Sequence, residues 1–283
     1  MQRERVADDI YIFTSEMYAQ VTAGVIITSE GAILIDTLVF PEETRGIKNF
    51  VEGRLNCPVR YVINTHYHAD HTYGTCFFPH AVVVAHYKCF DLLDTRGREG
   101  LEQAKAGMPE LSQIQVVLPH LVFDRQPMTL RLGNKNVQMW HTPGHSPDCI
   151  VCLVKEDRVL FASDTLMPVP YFVDGDYDDF VRSLQSLRNN NFEHVVQGHG
   201  EVILRGEIEE KIESDLHYLA AIRRHVEAAR NKSDPEKYLE HIDIERCGKS
   251  RIPLNGSVQE LHRANLRALY RQLATQKEPD FAS

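Results

Sequence analysis

No stretch of this chain stays apolar for anything near the ~18 residues that a membrane-crossing helix needs, and residues 1–9 hold no apolar core of the kind that directs secretion. Both absences point to a cytoplasmic protein with no membrane partner. Positive charge is also scarce: Lys and Arg total 31 against 40 for Asp and Glu, a net charge of -9. Nucleic-acid affinity rests largely on basic side chains that release phosphate counterions, so a nucleic-acid partner is disfavoured. The six cysteines, Cys57, Cys76, Cys89, Cys149, Cys152 and Cys247, are scattered. In a reducing compartment they read as free thiols rather than a disulfide framework. Cys149 and Cys152 do form a C-x-x-C, but inside an apolar run, residues 149–154, that reads as a buried strand. Side chains three apart on a strand point to opposite faces, which speaks against a shared metal or a redox pair. No repeat period or low-complexity tract is present, which removes solenoid and linker-like architectures.

What is present is an ordinary globular composition, 43% hydrophobic and 25% charged over 283 residues. Val- and Ile-rich runs predict strands at 10–13, 24–28 and 32–35, with Ser29-Glu30-Gly31 turning the second back on the third. A helical pattern at 41–51 leads into a strand at 59–64. Further strands are expected at 81–85, 116–123, 128–132, 137–141, 150–154 and 159–162, and helices at 86–93 and 177–189. Beyond residue 205 strands cease. A charged helix spans 205–231 with Ile208, Ile212, Leu216 and Leu219 as one stripe, a segment with Pro235, Gly248, Pro253 and Gly256 reads as a loop or broken helix, and a last helix spans 258–273. The expected organisation is a domain over 1–205 with a helical C-terminal extension over 206–283 packed on it. The apolar stripe would serve either the core or a second chain, so the oligomeric state, a homodimer included, stays open.

Chemistry concentrates at His66-Tyr67-His68-Ala69-Asp70-His71, directly after the strand at 59–64. Imidazole nitrogens and carboxylate oxygens suit zinc and its first-row neighbours. Four such groups in six residues exceed what one ion takes from so short a segment, so the spacing points to two metals. Three more candidates share one context, the end of an apolar run: His145 after the turn Thr142-Pro143-Gly144, Asp164 after 159–163, and His199 after 195–198. Side chains at the ends of neighbouring strands can meet on one rim of a sheet. The other histidines, among them His86, His141 and His262, lack such a pattern and read as structural or surface residues. Ser146 and Asp148 read as capping or supporting residues.

In order, His66-x-His68-x-Asp70-His71, Thr142-Pro143-Gly144-His145, Asp164 and Gly198-His199-Gly200 resemble the motifs of the metallo-β-lactamase-fold hydrolase superfamily. Asp36, ending Ile33-Leu34-Ile35, sits at that family's first motif, and the resemblance runs over residues 10–205. It implies an α+β fold, a four-layer αββα sandwich of two mixed sheets with helices outside. It makes His66, His68 and His145 ligands of one metal, Asp70, His71 and His199 ligands of a second, and Asp164 the bridge. Asp36 would fix the ligand loop by hydrogen bonding. Two Zn2+ are implied, with iron or manganese fitting the same donors.

Water held between two such ions loses a proton near neutral pH and becomes a nucleophile, while the ions polarise the scissile group. Asp70, a ligand within reach of that water, is the candidate to orient it and carry its proton. The expectation is a zinc-dependent hydrolase cleaving an ester-like bond, in a lactone, thioester, β-lactam or related small molecule. True β-lactamase activity is a narrower reading, because Asp164 stands where many such enzymes carry Cys. The alternatives are a phosphodiesterase or nuclease of the same fold and, from another class, a non-haem iron redox enzyme. The intact second ligand set and the absence of a flavin-binding domain speak against the redox reading. Segments 15–18 and 166–172 would either wall a substrate pocket or pack on the sheet. Arg96 and Arg98 read as a solvated helix end, and His262 and Asn265 would line the site only if the last helix folds over it.

Overall fold

The apolar runs form strands because most are buried on both faces, the pattern of a sheet covered on each side. The computed structural model describes residues 1–275; the last eight positions of the expected C-terminal extension, 276–283, lie outside the described residues. The first sheet holds β1 (Gln2–Ala7), β2 (Ile10–Thr14), β3 (Thr22–Thr28), β4 (Gly31–Ile35), β5 (Val59–Ile63), β6 (Val82–His86) and β7 (Leu121–Phe123), side by side in chain order. Its pairings are antiparallel from β1 to β4 and parallel from β4 to β7. The second holds β8 (Met128–Leu132), β9 (Lys135–His141), β10 (Ile150–Val154), β11 (Val159–Ser163), β12 (His194–Gln197) and β13 (Val202–Leu204), in spatial order β13-β12-β11-β10-β9-β8. Only its β11–β12 pairing is parallel.

The two-residue period of a strand then sorts the side chains into layers. Ile33, Ile35, Ile63 and Val84 from the first sheet meet Met139, Ile150, Cys152, Val154 and Phe161 from the second in one buried cluster. The alternate residues turn outward. Ala32, Leu34 and Val62 pack with Ile47 of helix α1 (Pro41–Lys48), while Val151, Leu160 and Ala162 pack under the helices on the other side. The remaining helices are α2 (Ala69–Thr72), α3 (Tyr87–Leu92), α4 (Arg98–Gly107), α5 (Tyr177–Ser186), α6 (Ile208–Ala229), α7 (Pro235–Glu240) and α8 (Val258–Thr275). Phe180 of α5, Ile212 and Leu219 of α6, and Leu266 and Leu269 of α8 share the cluster that covers the second sheet. The four-layer αββα sandwich expected from the resemblance is the one observed, with α6 to α8 as its C-terminal helices. All six cysteines are free thiols.

Some elements depart from expectation. β1, β13 and α4 are not predicted from apolar patterning; the run at 116–123 pairs only over its last three residues; and 232–256 contains the short helix α7. More important for function is direction. β4 and β5 run parallel, and β9, β11 and β12 all run opposite to β10 or alongside β11. The C-terminal ends of β9, β11 and β12 therefore share one rim. There the two sheets are joined: Val21 forms an antiparallel bridge with His199, the Thr22 amide donates to the Gly198 carbonyl at 2.8 Å, and the Ile150 amide donates to the Thr65 carbonyl at 2.9 Å.

Candidate metal centre

Each candidate side chain leaves a strand at this rim through a backbone conformation that aims it inward. After β5 the chain bends over residues 65–67 and is extended again at His68 (φ -60, ψ 148), just before α2, so the four metal-capable residues divide between this bend and a single helical turn. His145 follows Gly144, whose φ of 144° suits glycine and whose absent Cβ would lie 2.3 Å from the Phe180 Cα. Asp164 follows Ser163, and Asp36 follows β4; Ser163 and Asp36 adopt left-handed backbone, φ 49° and 55°. Such residues are held only where the surroundings over-determine them, and they cluster at functional sites.

The hydrogen bonds fix which ring nitrogen of each histidine faces inward. A carbonyl or carboxylate oxygen only accepts, so His68 Nε2 donates to Asp174 at 3.1 Å, His71 Nδ1 to Asp36 at 2.8 Å, His145 Nδ1 to the Tyr171 carbonyl at 2.7 Å, and His199 Nδ1 to the Ala19 carbonyl at 2.8 Å. His66 Nδ1 meets the Thr65 and Ser163 hydroxyls, each at 3.2 Å, and Thr65 commits its own proton to Asp36 at 2.7 Å. The five opposite nitrogens turn toward one another and toward Asp70 and Asp164.

They gather in two groups, His66, His68, His145 and Asp164 in one and Asp70, His71 and His199 in the other, with the ligand atoms of each within 4.8 Å of one another. In the first, His68 Nδ1 lies 3.0 Å from His66 Nε2 and 2.9 Å from His145 Nε2, which is 3.1 Å from Asp164 Oδ2. Nitrogens this close need a proton or a metal ion between them, and the ligands of a tetrahedral zinc with ~2.05 Å bonds stand about 3.3 Å apart. In the second, Asp70 Oδ2 is 3.3 Å from His199 Nε2 and 3.8 Å from His71 Nε2. Asp164 reaches both groups, with Oδ1 3.3 Å from His71 Nε2 and Oδ2 3.5 Å from His199 Nε2.

The residues fit metal ions on an independent count. Asp164 Oδ1 and His71 Nε2 are buried with no hydrogen-bond partner among the described residues, a state that costs about 1–3 kcal/mol per group when nothing else satisfies it. The field at the centre also favours positive charge. Burial opposes a proton on His71, but Asp164, Asp36 and Asp70 outweigh it and hold its pKa well above the usual range; His199 is likewise pushed up to about 10 by Asp164 and Asp70 against burial. Burial wins at His66, held well below its usual value, and at His145, lowered to about 4.

The structure brings all seven predicted residues together and adds partners that no spacing announces. Asp174 takes the His68 proton, the Tyr67 hydroxyl at 2.5 Å and the Arg96 guanidinium at 2.9 Å. Arg96, read from sequence as a solvated helix end, is thus exposed yet committed to a carboxylate that holds a candidate ligand. Asp36 plays its expected part, accepting from the Thr65 amide at 2.8 Å as well as from His71. Segment 166–172 packs inward, with Leu166, Met167, Val169 and Phe172 buried, whereas Met17 and Tyr18 are exposed.

Gly198 makes the approach of β12 to Asp164 feasible: a Cβ there would sit 1.8 Å from Asp164 Oδ1 and 2.7 Å from the Ser163 carbonyl carbon. Gly198→Ala is expected to push Asp164 aside and weaken metal binding by on the order of 10–100-fold, as loss of ligand support does elsewhere. Chelator competition on the purified variant checks this; wild-type affinity would show that the loop relaxes freely.

Comparison with known proteins agrees with this geometry. The family model described as the metallo-beta-lactamase superfamily matches residues 18–206. The lactamase-like protein aptB of Emericella nidulans is 28% identical over 62% of this chain and 50% of its own length, and an atrochrysone carboxyl ACP thioesterase of Claviceps purpurea is 22% identical over 73% and 61%. The chain thus spans between half and about three-fifths of the length of these curated relatives. Among solved structures, a metallo-beta-lactamase from Pontibacter korlensis superposes with a TM-score of 0.63 at 20% identity, over 77% of this chain and 98% of that one. Since the matched residues contain both ligand groups and the strands that end in them, the chain belongs to the metallo-beta-lactamase superfamily.

Proposed function

We propose that this chain is a metal-dependent hydrolase that holds two ions, zinc foremost, and cleaves ester-like bonds in small molecules, thioesters above all. The observation that carries the reading is Asp164, one buried carboxylate in contact with nitrogens of both ligand groups. His66, His68 and His145 would hold one ion, Asp70, His71 and His199 the other, and Asp164 would serve both. When bound, the ions supply Lewis acidity to the scissile carbonyl and lower the pKa of water toward neutrality. Iron or manganese would suit the same donors.

The chain's own residues then handle position and protons. Asp70 is the more open carboxylate, its side chain 15% exposed against 3% for Asp164, and it is the one that incoming water can reach. Asp70 accepts the proton as water adds to the thioester carbonyl, and returns it to sulfur as the C–S bond breaks, leaving a carboxylic acid and a thiol. Asp174 and Asp36 keep His68 and His71 oriented throughout. The thioester preference draws support from the Claviceps purpurea relative, which is named a thioesterase. Asp164 in place of the cysteine common among true β-lactamases points the same way.

Metal analysis of protein purified without chelators, followed by turnover of thioester, lactone, cephalosporin and bis(p-nitrophenyl) phosphate, tests the reading. About two ions per chain and fastest turnover of thioesters are expected, with His68→Ala abolishing both the first ion and the activity. Fewer than two ions, or activity indifferent to His68→Ala, sinks the two-ion mechanism; preference for the phosphodiester replaces the substrate class.

A further inference from the structure

His145 receives its orientation from a peptide group, and that peptide group is held from behind by the C-terminal helix. Asn265, in α8, is fully buried. Its Oδ1 accepts from the Phe172 amide at 3.2 Å, and its Nδ2 donates to the Pro170 carbonyl at 2.6 Å and to the Tyr218 hydroxyl at 3.2 Å. The two backbone bonds straddle Tyr171. The Phe172 N–H and the Tyr171 C=O belong to the same planar peptide and point in opposite directions, so fixing one aims the other. Asn265 holds the N–H side, and His145 Nδ1 donates to the C=O side at 2.7 Å.

The direction of every proton in this chain of bonds is determined. The Ile242 carbonyl can only accept, so His262 donates to it from Nε2 at 3.0 Å and presents a bare Nδ1 to Tyr218, 3.0 Å away. Tyr218 therefore donates to His262 and accepts from Asn265 Nδ2. The amide of Asn265 has one orientation that satisfies all of its partners, with Oδ1 toward Phe172. A second tether from the same extension, Lys211 Nζ of α6 donating to the Met167 carbonyl at 2.5 Å, pins the loop nearer Asp164.

We propose that Asn265 is a positioning residue for the metal centre: by clamping the Tyr171–Phe172 peptide it sets the tautomer and aim of His145, so that the C-terminal helices complete a site whose ligands all lie before residue 200. The assignment rests on the metal-holding role proposed for His145. It explains why a helix that contributes no ligand buries an asparagine against the loop after Asp164.

The test is zinc affinity of the full chain, by competition with a chromophoric chelator, alongside thermal unfolding. Asn265→Ala is expected to weaken one of the two ions by on the order of 10–100-fold and leave the other unchanged. The effect should vanish in a His145→Ala background, since a residue acting through His145 has nothing left to position. Tyr218→Phe, which spares both loop bonds, should lower stability without changing either affinity. If the alanine variant does not fold, isosteric Asn265→Asp, which sets oxygen against the Pro170 carbonyl, is expected to weaken the same ion. Wild-type affinities in Asn265→Ala or Asn265→Asp overturn the clamp, as does an equal loss in Tyr218→Phe or an undiminished loss in the His145→Ala background. Those results leave the two-ion reading standing; a wild-type chain that holds no zinc would remove both.

Discussion

Asp164→Ala is expected, under the proposed two-ion mechanism, to lower turnover by on the order of 10^3-fold or more and to leave at most one ion per chain, because several kcal/mol of transition-state stabilisation from paired ions would disappear and each 1.36 kcal/mol is a factor of ten. The Asp164 carboxylate reaches both groups: Oδ2 lies 3.1 Å from His145 and 3.5 Å from His199, and Oδ1 3.3 Å from His71. Deletion leaves five imidazoles and Asp70 with too little negative charge for two dications. Asp164→Asn isolates charge from shape, because it keeps the volume and removes the anion, and it should fail nearly as badly. Metal stoichiometry and steady-state kinetics measured on the same samples decide the matter. A variant with two tightly held ions and near-wild-type turnover would show that Asp164 bridges nothing.

Asp36→Asn should be no less damaging, although Asp36 lies behind the site. One carboxylate oxygen accepts from the Thr65 amide, the other from the Thr65 hydroxyl and from His71 Nδ1. An asparagine must place its NH2 on one of these sides. The Thr65 backbone N–H cannot turn round, so the NH2 goes to the other side, where the hydroxyl can rotate but His71 Nδ1 must now accept. The proton of His71 is then forced onto Nε2, which faces Asp164 Oδ1 at 3.3 Å and would otherwise bind metal. Inverting the tautomer of a catalytic imidazole costs roughly 10^4-fold in turnover, and a loss of about that order is expected here with the fold intact. Nitrogen-15 shifts of His71 report the tautomer directly. An Nδ1–H retained in the variant, with normal metal content, would refute the argument.

The candidate ligands were legible in the sequence because their signal is local: they follow closely on apolar runs, and the strands that carry those runs end on a common rim. The sandwich was legible for a related reason, since Ile33 and Ile35 face one layer while Ala32 and Leu34 face the next, which makes strands such as β4, β10 and β11 continuous apolar runs. What failed to register has no such pattern. β1 reads Gln-Arg-Glu-Arg-Val-Ala and is mostly exposed, an edge strand with only Val6 and Ala7 packed against the core. β13 is three residues long, and α4 is a charged helix with one buried residue, Leu101. The supports of the ligands were hidden for a different reason. Asp174, the Tyr171 carbonyl and Asn265 act across folds of the chain, as far apart as His68 and Asp174 or Pro170 and Asn265, and a backbone carbonyl has no residue type to betray it.

The bridge between Val21 and His199, with the Thr22 amide on the Gly198 carbonyl and the Ile150 amide on the Thr65 carbonyl, staples the sandwich along its open edge. The candidate ligands come from both leaves, His66, His68, Asp70 and His71 from one and His145, Asp164 and His199 from the other. Sliding of one leaf over the other would ordinarily shear such a set apart. With the edge stapled beside them, sliding of one leaf over the other at the site must break these backbone hydrogen bonds. The separation of candidate ligands on opposite leaves is thereby set by backbone pairing one residue away, Thr65 beside His66 and Gly198 beside His199.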